Sequence, residues 1–150
     1  MTKEELKIKI TEIHPEAIID ESGEWLNITV EPAAFRSFAE EVRMDTMDLD
    51  YMFCLTCVDW KTHLTMVYHL SSTTYRHNIV IKVKLDRNKP EIDTICDIWR
   101  TAELHEREVF EMFGVVFLNH PDLRLLILPD DFVGYPMRKD FEDPINMIKL

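Results

Sequence analysis

The stretch LHEREVFEMFG, residues 104–114, decides how this chain folds, because it combines helical periodicity with a carboxylate on the apolar side. At about 100° per residue, one helix face carries mostly apolar residues, namely Ala102, Glu106, Val109, Phe110 and Phe113. An ionised carboxylate taken out of water costs roughly several kcal/mol unless it is paired. We therefore expect Glu106 to meet backbone donors or a guanidinium, with Arg124 or Arg138 as candidates.

Working outward, the next residues predict the end of this helix and an irregular C-terminal region. Gly114 stands where a helix commonly ends in a left-handed residue. The apolar run 123–128 is bounded by HPD and PDD and predicts a short strand. Glycine, prolines and charges after it cannot extend a helix or a central strand comfortably. We expect an ordered tail that wraps its own domain or a partner.

Five motifs in this region carry a resemblance to a known family. They are HEREVFEMFG, HPDLR, PDD, GYP and RKDF, in this order over residues 105–141. Their sequence and spacing resemble the C subunit of the complex I type NADH-quinone oxidoreductases, the thirty-kilodalton subunit. Related subunits occur in membrane-bound hydrogenases and in other ferredoxin- or F420-linked complexes, which remain an alternative.

The resemblance implies a non-catalytic subunit of the hydrophilic arm of a proton-translocating complex. Such a subunit packs against the D subunit of complex I, which helps to form the quinone site, and near the iron-sulfur B and I subunits. It carries no cofactor, because FMN, iron-sulfur clusters, NADH and quinone bind to other subunits. The expected location is cytoplasmic, peripheral on the inner membrane through the complex.

The residues expected to dock a partner or to hold the tail belong to the motifs that carry the resemblance. They are Glu106, Arg107, Glu108, His120, Asp122, Arg124, Arg138, Lys139 and Asp140. The alternative reading is intramolecular ion pairing alone. Glu103 and Arg107, four residues apart on the helix, are expected to form a routine surface ion pair.

Composition limits the function classes. One hundred and fifty residues that are 46% hydrophobic suit a single domain. A net charge of −11 argues against nucleic acid and against direct adhesion to anionic lipid, both of which require clustered cations. Without a run of about twenty apolar residues or a charged leader, we expect neither a membrane span nor a secretory signal.

The order of the elements predicts an α+β domain. Strands are grouped rather than alternating with helices, which favours two layers with a mixed, mostly antiparallel sheet and helices on one side. We assign residues 1–118 to the core and 119–150 to a strand and docking tail of the same domain. The predicted core elements are a helix over 3–13, a hairpin of 17–20 with 25–30, a helix from Pro32, strands at 51–58, 64–70 and 78–85, and a short helix over 92–99.

Other residues could carry chemistry, and a free-standing enzyme or metal-binding module is the rival hypothesis. Cys54 and Cys57 form C-x-x-C, but positions three apart on a strand point to opposite faces, so structural thiols are favoured. His105-Glu106 begins a zinc-protease motif that Val109 interrupts. The other histidines are expected to pack or to anchor turns. With three glycines in total, a dinucleotide-binding fingerprint is impossible.

Carboxylate pairs could in principle act as general acid and base. Glu106 and Glu108 point roughly 200° apart on a helix, so they cannot act on one bond. Asp130 and Asp131 are most simply a turn. No catalytic residue is therefore assigned on this chain.

Overall fold

A five-stranded mixed sheet with helices packed on one face forms the body of the computed structural model, which describes residues 1–146. The last four residues of the predicted tail, 147–150, lie outside the described part. The elements in chain order are α1 (Lys3–Ile13), β1 (Ile18–Asp20), β2 (Leu26–Val30), α2 (Pro32–Met44), β3 (Tyr51–Asp59), β4 (His63–Ser71), β5 (Asn78–Asp86), β6 (Glu91–Asp93), α3 (Ala102–Phe113) and β7 (Val116–Leu118). The predicted α+β class is confirmed.

The main sheet has the strand order β1-β2-β5-β4-β3. Strands β2 and β5 run parallel, while the other neighbouring pairs are antiparallel. A parallel pair needs a crossover connection, and here α2 and the β3-β4 hairpin lie between the two strands in sequence. Strands β6 and β7 form a separate parallel pair that the sequence did not predict.

The core lies between one face of the sheet and the helices. Alternate residues of the central strands, such as Ile81 on β5 and Tyr68 on β4, point into it and are buried. The Phe35 ring of α2 packs on the Tyr68 ring, with 4.7 Å between ring centroids. Helix α3 packs on β3, where the Thr101 hydroxyl donates to the Met52 carbonyl at 2.7 Å.

Local signals predicted several elements correctly. Helix α1 has the expected capping box, in which the Thr2 hydroxyl accepts from Glu5 N–H and the Glu5 carboxylate accepts from Thr2 N–H. Gly114 ends α3 in the left-handed region, at φ 75°. Thr101 immediately precedes α3 as predicted, but its side chain makes no cap, because the hydroxyl is bonded to Met52.

Two predicted elements were wrong. Residues 92–99 form no helix: β6 pairs with β7, and a turn follows in which Trp99 Nε1 donates to the Leu49 carbonyl at 2.8 Å. Residues 123–128 form no strand, because side chains of α3 take the main-chain bonds that a neighbouring strand would provide. In neither case did apolar spacing reveal which partner would satisfy the backbone.

No helix among the described residues is long and apolar enough to cross a membrane.

Candidate functional site

Two charged side chains of α3 bind the backbone of the irregular segment that follows β7. Arg107 and Glu111, which we call the clamp, lie one helical turn apart and are 8% and 1% exposed. Arg107 donates to the Arg124 carbonyl at 3.1 Å and to the Leu125 carbonyl at 2.8 Å. Glu111 accepts from the backbone N–H groups of residues 126, 127 and 128 at 2.8–3.1 Å. The clamp thus satisfies five consecutive residues of irregular backbone.

The clamp is also complementary in charge. Burial by itself would raise the pKa of Glu111, but three backbone donors and the nearby Arg107 outweigh it and hold the pKa below its ordinary value. Glu111 therefore stays ionised at neutral pH. The predicted surface pair of Arg107 with Glu103 is wrong, because Arg107 turns inward to the segment and Glu103 instead lies 3.5 Å from Arg100.

A second attachment, the Asp59 anchor, lies at the end of β3. The Asp59 carboxylate is buried and accepts two hydrogen bonds from the Arg87 guanidinium, both at 2.9 Å. It also accepts from the N–H of Lys61 at 2.7 Å and from the N–H of Lys139 at 2.9 Å. Arg87 in addition pairs with the exposed Asp140 at 2.7 Å. Residues 139 and 140 are thereby fixed to the strand ends of the sheet.

Between these attachments, the segment closes over the end of α3. Arg138 donates to the Phe113 carbonyl at 2.6 Å, where a cation is favourable at the helix C-terminus. Its guanidinium carbon also lies 5.0 Å from the centroid of the Tyr135 ring. That ring packs directly on Gly114, where an added Cβ would lie 2.6 Å from it. Glycine at this position is therefore required both by φ and by the close approach of Tyr135.

Several side chains of the same segment are exposed to solvent. We call residues 119–146 the C-terminal segment, and several of its large apolar residues are exposed, namely Leu126, Ile127, Val133, Tyr135, Met137 and Ile145. Val133 is 86% exposed and Ile127 is 64% exposed. Contiguous exposed apolar patches usually mark an interaction surface. The segment is thus an ordered apolar surface.

Glu106 occupies a different, fully buried environment. Its carboxylate accepts from the Ile95 N–H at 2.9 Å and forms a short hydrogen bond with the Thr94 hydroxyl. The expectation of backbone donors was right, but Arg124 and Arg138 are wrong as partners. Burial dominates and raises the pKa of Glu106 to about 7.

Among the described residues, one cluster has the spacing of a metal site. It consists of Cys96, Glu106 and His120, whose potential ligand atoms lie within 4.8 Å of one another. The hydrogen bonds oppose that use. His120 Nδ1 accepts from the Asp122 N–H at 3.0 Å, and Nε2 donates to the Glu103 carbonyl at 3.0 Å, so both nitrogens are occupied. Burial raises the pKa of the Cys96 thiol, whereas a metal ligand must be the thiolate. The donor set suits packing and turn anchoring.

The raised pKa of Glu106 predicts a pH dependence of stability. A carboxyl group whose folded pKa lies above its ordinary value of 4.5 stabilises the fold below that value, and the contribution is lost as pH rises toward about 7. The side chain of Glu106→Gln stays neutral at every pH. As the pH rises from 5 to 8, we therefore expect the free energy of unfolding of this variant to increase relative to that of wild type by on the order of 2–3 kcal/mol. Urea unfolding of both proteins at several pH values measures the difference.

The same difference curve supplies the control for this prediction. Burial lowers the pKa values of His69 and His77 in both proteins alike, so their contributions cancel in the difference. Parallel stability profiles of wild type and Glu106→Gln would contradict a raised Glu106 pKa.

The remaining candidate residues fall into two groups. Arg138, Lys139 and Asp140 lie where the C-terminal segment is attached, as described above. Glu108, Asp122 and Arg124 are exposed, and Arg124 pairs with Asp122 two residues away at 2.9 Å. These three side chains face solvent.

Sequence reasoning missed Glu111, Asp59 and Arg87 as site residues. Glu111 and Arg107 lie four residues apart, which is the spacing of an ordinary surface ion pair. Nothing in the local sequence indicates that both side chains bind the backbone of a distant segment. Asp59 lies 80 residues from Lys139, so only the fold brings them together. Asp59 directly follows the apolar end of a predicted strand, and only this position in the sequence could have indicated a special role.

The fold and the clamp together define an α+β domain that carries an anchored, outward-facing C-terminal segment. Its sequence matches the family described as "Respiratory-chain NADH dehydrogenase, 30 Kd subunit" over residues 28–145. The chain belongs to this family, so the resemblance noted from the motifs is confirmed.

Curated relatives agree. The C/D subunit of NADH-quinone oxidoreductase from Phocaeicola vulgatus is 44% identical over 104 residues, which are 68% of this chain and 20% of that protein. The C subunit of NADH-quinone oxidoreductase from Chloroherpeton thalassium is 40% identical over 112 residues, 73% of this chain and 47% of that protein. The C subunit of F(420)H(2) dehydrogenase from Methanosarcina mazei is 34% identical over 85% of this chain and 84% of that protein. The match thus spans a fifth of the length of the Phocaeicola vulgatus protein and about half of the length of the Chloroherpeton thalassium protein.

Two solved structures have the same fold. A chain of the membrane-bound sulfane sulfur reductase, an archaeal respiratory membrane complex, matches with a TM-score of 0.81 and 30% identity over 93% of this chain and 85% of that chain. A trypsin-resistant fragment of Nqo5 matches with a TM-score of 0.69 and 23% identity over 80% of this chain and 98% of that one, which supports the fold alone.

Proposed function

We propose that this chain is a non-catalytic subunit of the hydrophilic arm of a proton-translocating NADH-quinone oxidoreductase. Its role is to present shape and charge to neighbouring subunits that carry the electrons. Family membership supports this role, as do relatives that bear the name of a C or C/D subunit.

The observation that carries the proposal is the C-terminal segment. Its backbone is bonded to buried charges of the domain, while Ile127 and Val133 remain exposed. Ordering this backbone before binding reduces the entropy that docking would otherwise cost. The segment is therefore a preorganised docking surface.

The partner that we propose for this surface is the D subunit of the complex, with the iron-sulfur B and I subunits nearby. Some relatives are named as C/D subunits, so a single protein carries the names of both the C and the D subunit. This naming favours contact between the two subunits. In this assembly FMN, iron-sulfur clusters, NADH and quinone would bind to other subunits. Attachment to the cytoplasmic face of the membrane would come through the complex.

A second candidate is the equivalent subunit of another respiratory complex. The F(420)H(2) dehydrogenase relative and the sulfane sulfur reductase chain each cover a larger share of this chain than the quinone-reductase relatives described above. The same docking role would then serve a different electron donor or acceptor. Identification of the subunits that co-purify with this chain distinguishes the two assemblies.

The test of docking is a pair of lysine substitutions on the segment, Ile127→Lys with Val133→Lys. We expect the variant chain to fold normally, because both side chains already face water, but to be recovered with the D subunit at least roughly tenfold less, since two desolvated charges would oppose docking. Co-expression of the subunits and affinity purification through the D subunit measures the recovery.

The matched control places the same change elsewhere on the surface. Ile18 and Met44 are 69% and 84% exposed, close to the 64% and 86% of the tested pair, and lie in β1 and α2. Ile18→Lys with Met44→Lys is expected to leave recovery unchanged. Equal recovery of the two double variants would refute docking through the segment.

A further inference from the structure

The face of the main sheet opposite the helices carries a second feature that the docking segment does not explain. Side chains on this face alternate with the buried ones, as in a sheet with one open side. Lys82 and Lys84 on β5 lie two residues apart and therefore point to this same face. Across the strands, Lys82 stands opposite Thr29 and Val67, and Lys84 stands opposite Thr65.

The charge environment of these two lysines bears on their role. The sequence has 28 acidic and 17 basic residues, so a cation readily finds a carboxylate nearby. Other cations do so, as Arg36 with Asp97 and Arg87 with Asp59 show. Lys82 and Lys84 form no ion pair with any carboxylate within residues 1–146, although the charge of Lys82 contributes, after the hydrogen bonds from Ser22, to the lowered pKa of Asp20. These two cations on the open sheet face thus lie outside the ion pairs of the described residues.

Lys82 and Lys84, with neighbouring residues of the sheet, line a groove with a volume of about 390 Å³. Val58 and Val67 give it an apolar floor, and Trp60, whose ring stacks on His63 with centroids 6.3 Å apart, forms a wall. Trp60 is 55% exposed. The groove therefore combines apolar contact area and an exposed tryptophan, which are typical of an interface centre, with two cations that select for an acidic partner.

We propose that this face, the lysine groove, binds an extended acidic segment of a neighbouring subunit. The proposal rests on the proposed function, because it takes the partner from the same assembly. Two lysines on one face of a strand lie about 7 Å apart, which is also the separation of alternate residues in an extended peptide. A segment with acidic residues at alternate positions would pair one carboxylate with Lys82 and the next with Lys84.

Charge complementarity favours a protein partner over other polyanions. The chain as a whole carries a net charge of −11, which repels nucleic acid and anionic membranes at longer range. A short acidic segment that enters the groove experiences the two local cations and the apolar floor. Nucleic acid or lipid would instead require a broad basic surface.

The direct test is carbodiimide crosslinking of the assembled, purified complex, which joins a lysine amine to a carboxylate in contact with it. We expect mass spectrometry to find isopeptide bonds from Lys82 and Lys84 to Asp or Glu residues of one other subunit. Lys82→Arg with Lys84→Arg keeps the charges and the assembly but removes these crosslinks. Crosslinks only within this chain, only between two of its copies, or absent altogether would overturn the proposal.

Charge reversal supplies the second measurement. Lys82→Glu with Lys84→Glu is expected to lower recovery of this chain in the complex roughly tenfold, since like charges would face each other. The control, Lys89→Glu with Arg100→Glu, makes the same change in net charge at residues that are 76% and 91% exposed and is expected to leave recovery unchanged. Equal losses in both variants would contradict a specific groove.

The outcomes separate this inference from the proposed function. If the complex assembles and responds to the Ile127 and Val133 substitutions but gives no crosslink from the lysines, the lysine groove alone fails. If the chain co-purifies with no other subunit, both fail.

Discussion

Glu111→Ala is expected to lower the free energy of unfolding by about 3–5 kcal/mol, because it removes one member of a buried, hydrogen-bonded charge arrangement. Arg107 would remain buried beside the gap, and the N–H groups of residues 126–128 would lose their acceptor. An unsatisfied buried donor costs more than the net gain of the original bond. The effect should therefore exceed that of an ordinary surface substitution.

Two measurements check the Glu111 prediction. Urea unfolding gives the loss of stability, and amide hydrogen exchange locates it, with faster exchange expected at residues 126–128. Glu108→Ala, on the exposed side of the same helix, should change stability by less than about 0.5 kcal/mol. If exchange at 126–128 is unchanged in Glu111→Ala, the clamp does not hold the segment.

The second large effect is expected for Asp59→Ala, with a loss of about 3 kcal/mol, since breaking a buried ion pair leaves its partner groups uncompensated. The hydrogen bonds from Arg87 hold the pKa of Asp59 well below its usual range, despite the opposing effect of burial. Stability from this group is therefore present above about pH 4 and is lost only as the pH falls toward the folded pKa. The variant should lack this acid-dependent fall.

Asp140 provides a control on the same guanidinium. It also pairs with Arg87, but its side chain is 67% exposed, so Asp140→Asn should change stability little. Thermal or urea unfolding of wild type, Asp59→Ala and Asp140→Asn at pH 3 to pH 7 gives the comparison. Similar losses in the two variants would mean that burial of Asp59 does not matter.

The sequence predicted those parts of the fold whose signals are local. The capping box at Thr2, proline at the first turn of α2 and the glycine after α3 each act within a few residues, and each marks an observed helix end. The β-branched and aromatic strands 51–59, 63–71 and 78–86 were also found. Their pairing order was not, because nothing local specifies that β2 runs parallel to β5.

The candidate site was only partly predictable for the same reason. A helical wheel shows that Glu106 is buried, but it does not show which donor will reach it, and the donors came from residues 94 and 95, in a region whose spacing predicts a helix. Arg107 and Glu111 looked like residues of a charged helix face. Their role depends on a segment more than ten residues away whose own backbone has no regular pattern.

The clamp contacts residues 124–128 through main-chain atoms, which every amino acid other than proline offers equally. The clamp itself therefore places no requirement on the side chains at these positions. One scaffold can thus display different side chains at residues 124–128 without being redesigned, provided that the clamp residues on α3 are kept.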